Sequence, residues 1–156
     1  MNQRKSLKEL NLLDKFLFDE AMDDPENVKT MLDIILSQNT NLKHPPQTEK
    51  EQRTSTDNRQ IRLDVYAIDE DDVIYEVEAQ KENTHNLPKR SRLYQGIIDS
   101  KLLPPGVVDF NLLNEVLIVL IMPFDLFGYG LYRYTFHMRC EEVPELKLND
   151  GATRIS

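Results

Sequence analysis

Apolar residues recur at helical spacing early in the chain and crowd into strand-like runs further on, a pattern that predicts two helices leading into a sheet. Leu7, Leu10, Leu13, Leu17 and Phe18 follow Ser6-Leu7-Lys8-Glu9, which has the form of a capping box. Val28, Met31, Leu32, Ile35 and Leu36 form the buried stripe of a second helix, with Asp24 or Asp23 as its cap and Pro25 in its first turn. Residues Asn39 to Gln60 are polar, contain Pro45-Pro46 and hold no sustained period, so they predict a solvated loop with room for an edge strand. Two strand-like runs come next, Ile61 to Ile68 and Val73 to Lys81, joined by Asp69, Glu70, Asp71 and Asp72, and this predicts a hairpin with an acidic tip. After the turn at Leu87-Pro88, a helix from about Lys89 to Leu103 would carry Leu93, Ile97 and Ile98 inward and end at Pro104-Pro105-Gly106. Val116 to Met122 is apolar throughout. A strand without alternation is buried on both faces, which places helices on both sides of a mixed sheet. Tyr132 to Met138 reads as one more strand. The expected class is α/β, with a mixed central β-sheet flanked by helices.

The hairpin carries the candidate chemistry. Strand side chains alternate faces, so Arg62, Asp64 and Tyr66 share one side of the first run, and Ile74, Glu76, Glu78 and Gln80 one side of the second. A register centred on the acidic tip sets Asp64 opposite or diagonal to Glu78. Asp64, Glu76 and Glu78 then converge within reach of one ion, and carboxylates crowded in this way call for a cation. The following stretch, Lys81 to Lys101, is the most basic in the chain: Lys81, Lys89, Arg90, Arg92 and Lys101 face only Glu82 and Asp99. Lys89 and Arg92 would lie on one flank of the helix. A basic helix beside an acidic site suits a phosphate backbone, although a solvated face offsetting nearby acids explains the same charges.

An Asp on one strand followed by Glu-x-Gln on the next resembles the core of the PD-(D/E)XK nuclease superfamily. More narrowly, the chain resembles the branch of nuclease-family transposases, or recombination-promoting nucleases. The ordered stretches that carry this are NLLDKFLFDEAMDDPENVKTMLDIIL, IRLDVYA, YEVEAQ, NLPKRSRLYQGIIDSKLL and FDLFGYGLYRYTF, which together cover most of the chain. The resemblance implies a restriction-endonuclease-like core over 1–156 as a single domain, truncated relative to members with a helical C-terminal extension. It also implies a Mg2+ (or Mn2+) dependent DNA endonuclease linked to transposition or recombination. Asp64 and Glu78 would hold the metal with the backbone carbonyl of Ala79, and Gln80 would stand among the catalytic residues where the superfamily name has Lys. Gln offers a neutral amide in place of a positive charge, so slower chemistry is expected, or a cation from the next helix: Lys89, Arg90 or Arg92. Asp14, Glu76, Tyr94 and Gln95 are accessory candidates. DNA is the implied partner, bound through Lys89, Arg90 and Arg92, and a homodimer is compatible with it.

Composition narrows these readings. With 156 residues, 40% of them hydrophobic, the chain can bury a core. A formal charge of −8 is wrong for a protein that coats DNA with its whole surface, so any contact must be local. The single cysteine, Cys140, excludes an internal disulfide, fits a reducing, cytoplasmic setting and reads as a buried structural thiol. His44, His85 and His137 are isolated in sequence, which argues against a His-based zinc site. The longest apolar run, Val116 to Met122, is too short to span a bilayer. Phe124, Phe127, Tyr129, Tyr132 and Tyr134 could stack bases, but core packing and turn chemistry explain them better. Two alternatives stand beside the nuclease. One is a catalytically degraded nuclease fold acting as a DNA- or partner-binding module, which the acidic charge and the missing Lys favour. The other, remote in a chain with no Trp, is a glycoside hydrolase using Asp64 and Glu78 as acid and base.

Overall fold

The computed structural model describes residues 15–53 and 60–156, so the capping box at Ser6 and the accessory candidate Asp14 lie outside the described residues. Helices α1 (Lys15–Met22) and α2 (Pro25–Leu36) come first. The Asp24 carboxylate accepts from the Glu26 amide at 3.0 Å, and Pro25 occupies the first turn, where its missing N–H leaves no bond unmade. The α2 stripe is the expected one, with Val28 and Leu32 buried and Met31, Ile35 and Leu36 packed against them.

Among the described residues six strands form one sheet: β1 (Gln47–Arg53), β2 (Gln60–Ile68), β3 (Ile74–Ala79), β4 (Val116–Ile121), β5 (Thr135–Phe136) and β6 (Ala152–Ile155), in the order β1-β2-β3-β4-β6-β5. The polar segment after α2 therefore contains a full edge strand, β1, antiparallel to β2. β2 and β3 form the expected hairpin, and β3 runs parallel to β4. Parallel neighbours need a crossover, supplied by α3 (Leu87–Leu102). β6, parallel to β4, was not expected from the sequence, where four residues with one strongly apolar member give no period. The strand expected over Tyr132 to Met138 shrinks to Thr135–Phe136, because the turn before it takes up Tyr134.

The pleat sorts side chains into two cores on opposite faces. Val65, Ala67, Tyr75, Val77, Val119 and Ile155 pack on Phe18, Met22, Val28 and Leu32 of α1 and α2. Tyr66, Ile74, Val116, Ile118 and Leu120 pack on Leu87, Tyr94, Ile97 and Ile98 of α3. Continuously apolar β4 feeds both, which is why it lacks alternation. Leu93, expected inward, is instead 44% exposed. The sheet beneath the first turns of α3 is acidic, and the helix presents Arg90 and Tyr94 to it. Cys140 is half-buried, its thiol donating to Glu142 at 3.1 Å, and so is not the enclosed structural thiol expected.

Two acids organise turns. At the hairpin tip Asp69 is buried: one carboxylate oxygen accepts from the amides of Asp71 and Val73 at 3.0 and 2.9 Å, and the other from the Tyr75 hydroxyl at 2.6 Å. After β4, Asp125 accepts from the amides of Phe127, Gly128 and Gly130 and from the Tyr134 hydroxyl. Gly128 and Gly130 have φ of 77° and 71°, a region that residues with a Cβ enter only with strain. Phe127 packs on Tyr134 and Phe136 at ring-centroid distances of 4.9 and 4.8 Å, while Tyr129 and Tyr132 are exposed. Among the described residues no helix is long and apolar enough to cross a membrane.

Candidate functional site

The hairpin register builds the site. Tyr66 lies opposite Glu76 and Val65 opposite Val77, so one step further Asp64 comes beside Glu78. Residues paired across strands share a face. Asp64, Glu76 and Glu78 thus sit together on the face that α3 covers, in line with Ile118 and Leu120 of β4, the partners of Glu76 and Glu78. The half-buried Asp64 is oriented by the backbone: the Ala79 amide donates to its Oδ2 at 3.1 Å. Glu76 stands at the centre of the sheet with no exposed surface, and neither carboxylate oxygen has a hydrogen-bond partner. Burial pushes its pKa well above the usual carboxylate range and the Asp64 charge pushes it further, while Arg90 pulls it back.

Arg90 is the cation that α3 delivers. It forms an ion pair with Glu78 Oε1, donates from Nη2 to Gln80 Oε1 at 3.1 Å, and lies 5.8 Å from the centroid of the Tyr94 ring. Glu78 Oε2 and Arg90 Nε are buried without partners. Tyr94 is drawn into the same group. Its hydroxyl is pushed up mainly by burial, with the charges of Glu76 and Asp64 adding to that and Arg90 opposing it. Gln80, just past β3, is held at three points: its amide N–H donates to the Ile121 carbonyl at 2.8 Å, its side-chain nitrogen to the Glu82 carbonyl at 2.8 Å, and its side-chain oxygen accepts from Arg90.

No protein-family model, curated protein or solved structure matches the chain. The chemistry of the group is therefore read from its own atoms. Asp64, Glu76, Glu78, Gln80, Arg90 and Tyr94 are brought together, whereas Lys89 and Arg92 are exposed on the same helix and Lys81 is exposed on the loop. Gln95 turns along the helix, donating to Asp99 at 3.0 Å, and Asp99 in turn feels Arg154 and Asp150. A groove of about 840 Å3 beside the ends of β4 and β6, lined by residues that include Ile34, Phe124 and Tyr132, takes in none of the three acids.

A hard divalent cation suits this donor set, which offers only oxygen and contains three buried carboxylate oxygens without partners. Among the described residues no three acidic, His or Cys side chains stand gathered as metal ligands. The Glu78 carboxylate is engaged by Arg90 in this arrangement. The sequence named every member of the group, but the part of Gln80 in holding Arg90 was missed. A neutral acceptor ten residues ahead of a helical Arg is too common a spacing to signal it.

Proposed function

We propose that the chain is a metal-dependent phosphodiesterase that nicks or cuts DNA, built on a restriction-endonuclease-like core and serving transposition or recombination in a cytoplasmic setting. The observation that carries the reading is the row of Asp64, Glu76 and Glu78 on one sheet face under a single helical arginine, with buried carboxylate oxygens lacking partners. The mixed sheet with helices on both faces supports the same core.

Asp64 and Glu78 would hold Mg2+ or Mn2+, with the Ala79 carbonyl as a third oxygen, and Glu76 would sharpen the field behind them. When bound, the cation makes water acidic enough to attack and offsets the charge that grows on the phosphate oxygens. The Ala79 amide fixes Asp64. Arg90 supplies the positive charge that Gln80 lacks, close to where a phosphate would sit. Lys89 and Arg92, exposed near the start of α3, would meet backbone phosphates on either side, which would keep DNA contact local on an acidic protein. Plasmid nicking with and without Mg2+ tests this. Glu78→Ala and Asp64→Ala are expected to lose at least about 100-fold in rate with the fold retained, and undiminished cutting by purified Asp64→Ala sinks the reading.

A second reading has its own observation. Arg90 already neutralises Glu78, and both ends of the Gln80 amide are occupied, as in a degraded nuclease that keeps the fold as a DNA- or partner-binding module. Calorimetry with Mg2+ and Mn2+ separates the two, because a vestigial site shows no carboxylate-dependent heat.

A further inference from the structure

Arg90 reaches the acidic face from a helix, and a flexible side chain of that length keeps one orientation only where more than one acceptor holds its planar fork. Two acceptors do so here. Glu78 supplies charge, and Gln80 supplies direction at 3.1 Å. The direction is set from the strand: the Gln80 backbone is anchored on Ile121, and its side-chain nitrogen is committed to the Glu82 carbonyl, so its oxygen must face the guanidinium. Turning the amide over would lose both bonds and set N–H against N–H. We propose that Gln80 is a positioning residue, a tether that fixes the Arg90 guanidinium on Glu78, and that its own amide takes no direct part in chemistry.

This deepens the nuclease reading of the same site and rests on it only for the activity arm of the test. A cation at position 80 would stand beside Arg90 and drive it off, an apolar residue would leave it held by Glu78 alone, and a carboxylate, which loses the donor to the Glu82 carbonyl, would hold it through charge instead. The side-chain 1H–15N signals of Arg90, assigned by their loss in Arg90→Lys, report this directly in the full chain. Wild type and Gln80→Glu are expected to show restricted guanidinium rotation, and Gln80→Leu and Gln80→Lys fast rotation. Mg2+-dependent nicking should fall about 100-fold in kcat for Gln80→Leu and Gln80→Lys, as expected when a charge is misplaced by about an ångström, and stay within about threefold for Gln80→Glu. Unchanged Arg90 signals in Gln80→Leu overturn the proposal, and so does a loss of nicking in that variant with Arg90 still held, which would make Gln80 a direct participant. Should Gln80→Leu fail to fold, the contrast between Gln80→Glu and Gln80→Lys decides in the same way. If wild type does not nick DNA, the nuclease reading fails while the Arg90 signals still decide the tether.

Discussion

The two faces of this sheet are made from the same strands, yet they differ in kind. Toward α1 and α2 the strands present Val65, Ala67, Tyr75, Val77, Val119 and Ile155, and the buried hydroxyl of Tyr75 is satisfied by Asp69. Toward α3 they present Tyr66, Glu76, Glu78, Ile118 and Leu120, and Glu76 is buried with nothing bonded to it. Burying a carboxylate without a partner works against folding, a cost that the second face carries and the first does not. The period-2 alternation of β3 makes this division possible in six residues, Val77 serving one face and Glu76 and Glu78 the other. A one-residue slip would exchange the two.

Mutations can break that contrast or sharpen it. Leu32→Ala, which empties a fully buried site in α2, should lower unfolding free energy by about 3 kcal/mol in denaturant titration and leave the Mn2+ binding proposed for the other face as it was. A loss of cation binding would show that the two faces are coupled. Glu76→Gln should do the opposite. In chelator at pH 8 it is expected to gain about 1 kcal/mol, because a buried carboxylate becomes a neutral amide of the same shape. A less stable variant would mean that the wild-type carboxylate is held in the folded chain. The smallest effect lies outside both faces, at Asp125. Four hydrogen bonds, led by that from Tyr134, bring its carboxyl down to about 2 from 3.8. The folded state therefore prefers the ionised form. The stabilisation is full above the ordinary carboxylate value and drains away as pH falls toward 2. Asp125→Asn should flatten the melting-temperature profile between about pH 4 and pH 2; an unaltered acid profile would place the acid sensitivity elsewhere.

Much of the fold was legible from local pattern. The α2 stripe, its Asp24 cap, the hairpin and the doubly buried β4 follow from periodicity and turn chemistry acting over a few residues. The misses share a cause. Leu93 belongs to an apolar pattern on α3 yet is exposed, because the helix rests on the sheet through Leu87, Tyr94, Ile97 and Ile98. β6 has a weak pattern and becomes a strand because β4 was there to pair with, while β1 takes the edge position that the polar segment left room for. The hairpin tip reads only as an acidic turn, and the approach of Tyr75 and the turn amides makes Asp69 a buried linchpin.

The sequence by itself determined which residues could meet. Alternation along β2 and β3 puts Asp64, Glu76 and Glu78 in phase, and a hairpin register this short leaves little freedom to separate them. Tertiary structure alone decided what those acids would meet. Which of Lys89, Arg90 and Arg92 reaches the sheet depends on how α3 rolls on its bed, and that is set by packing among Leu87, Tyr94, Ile97 and Ile98 against strands far away in the chain. Side-chain phase is a local property of the backbone, whereas the pairing of charges across layers is a property of the packed whole.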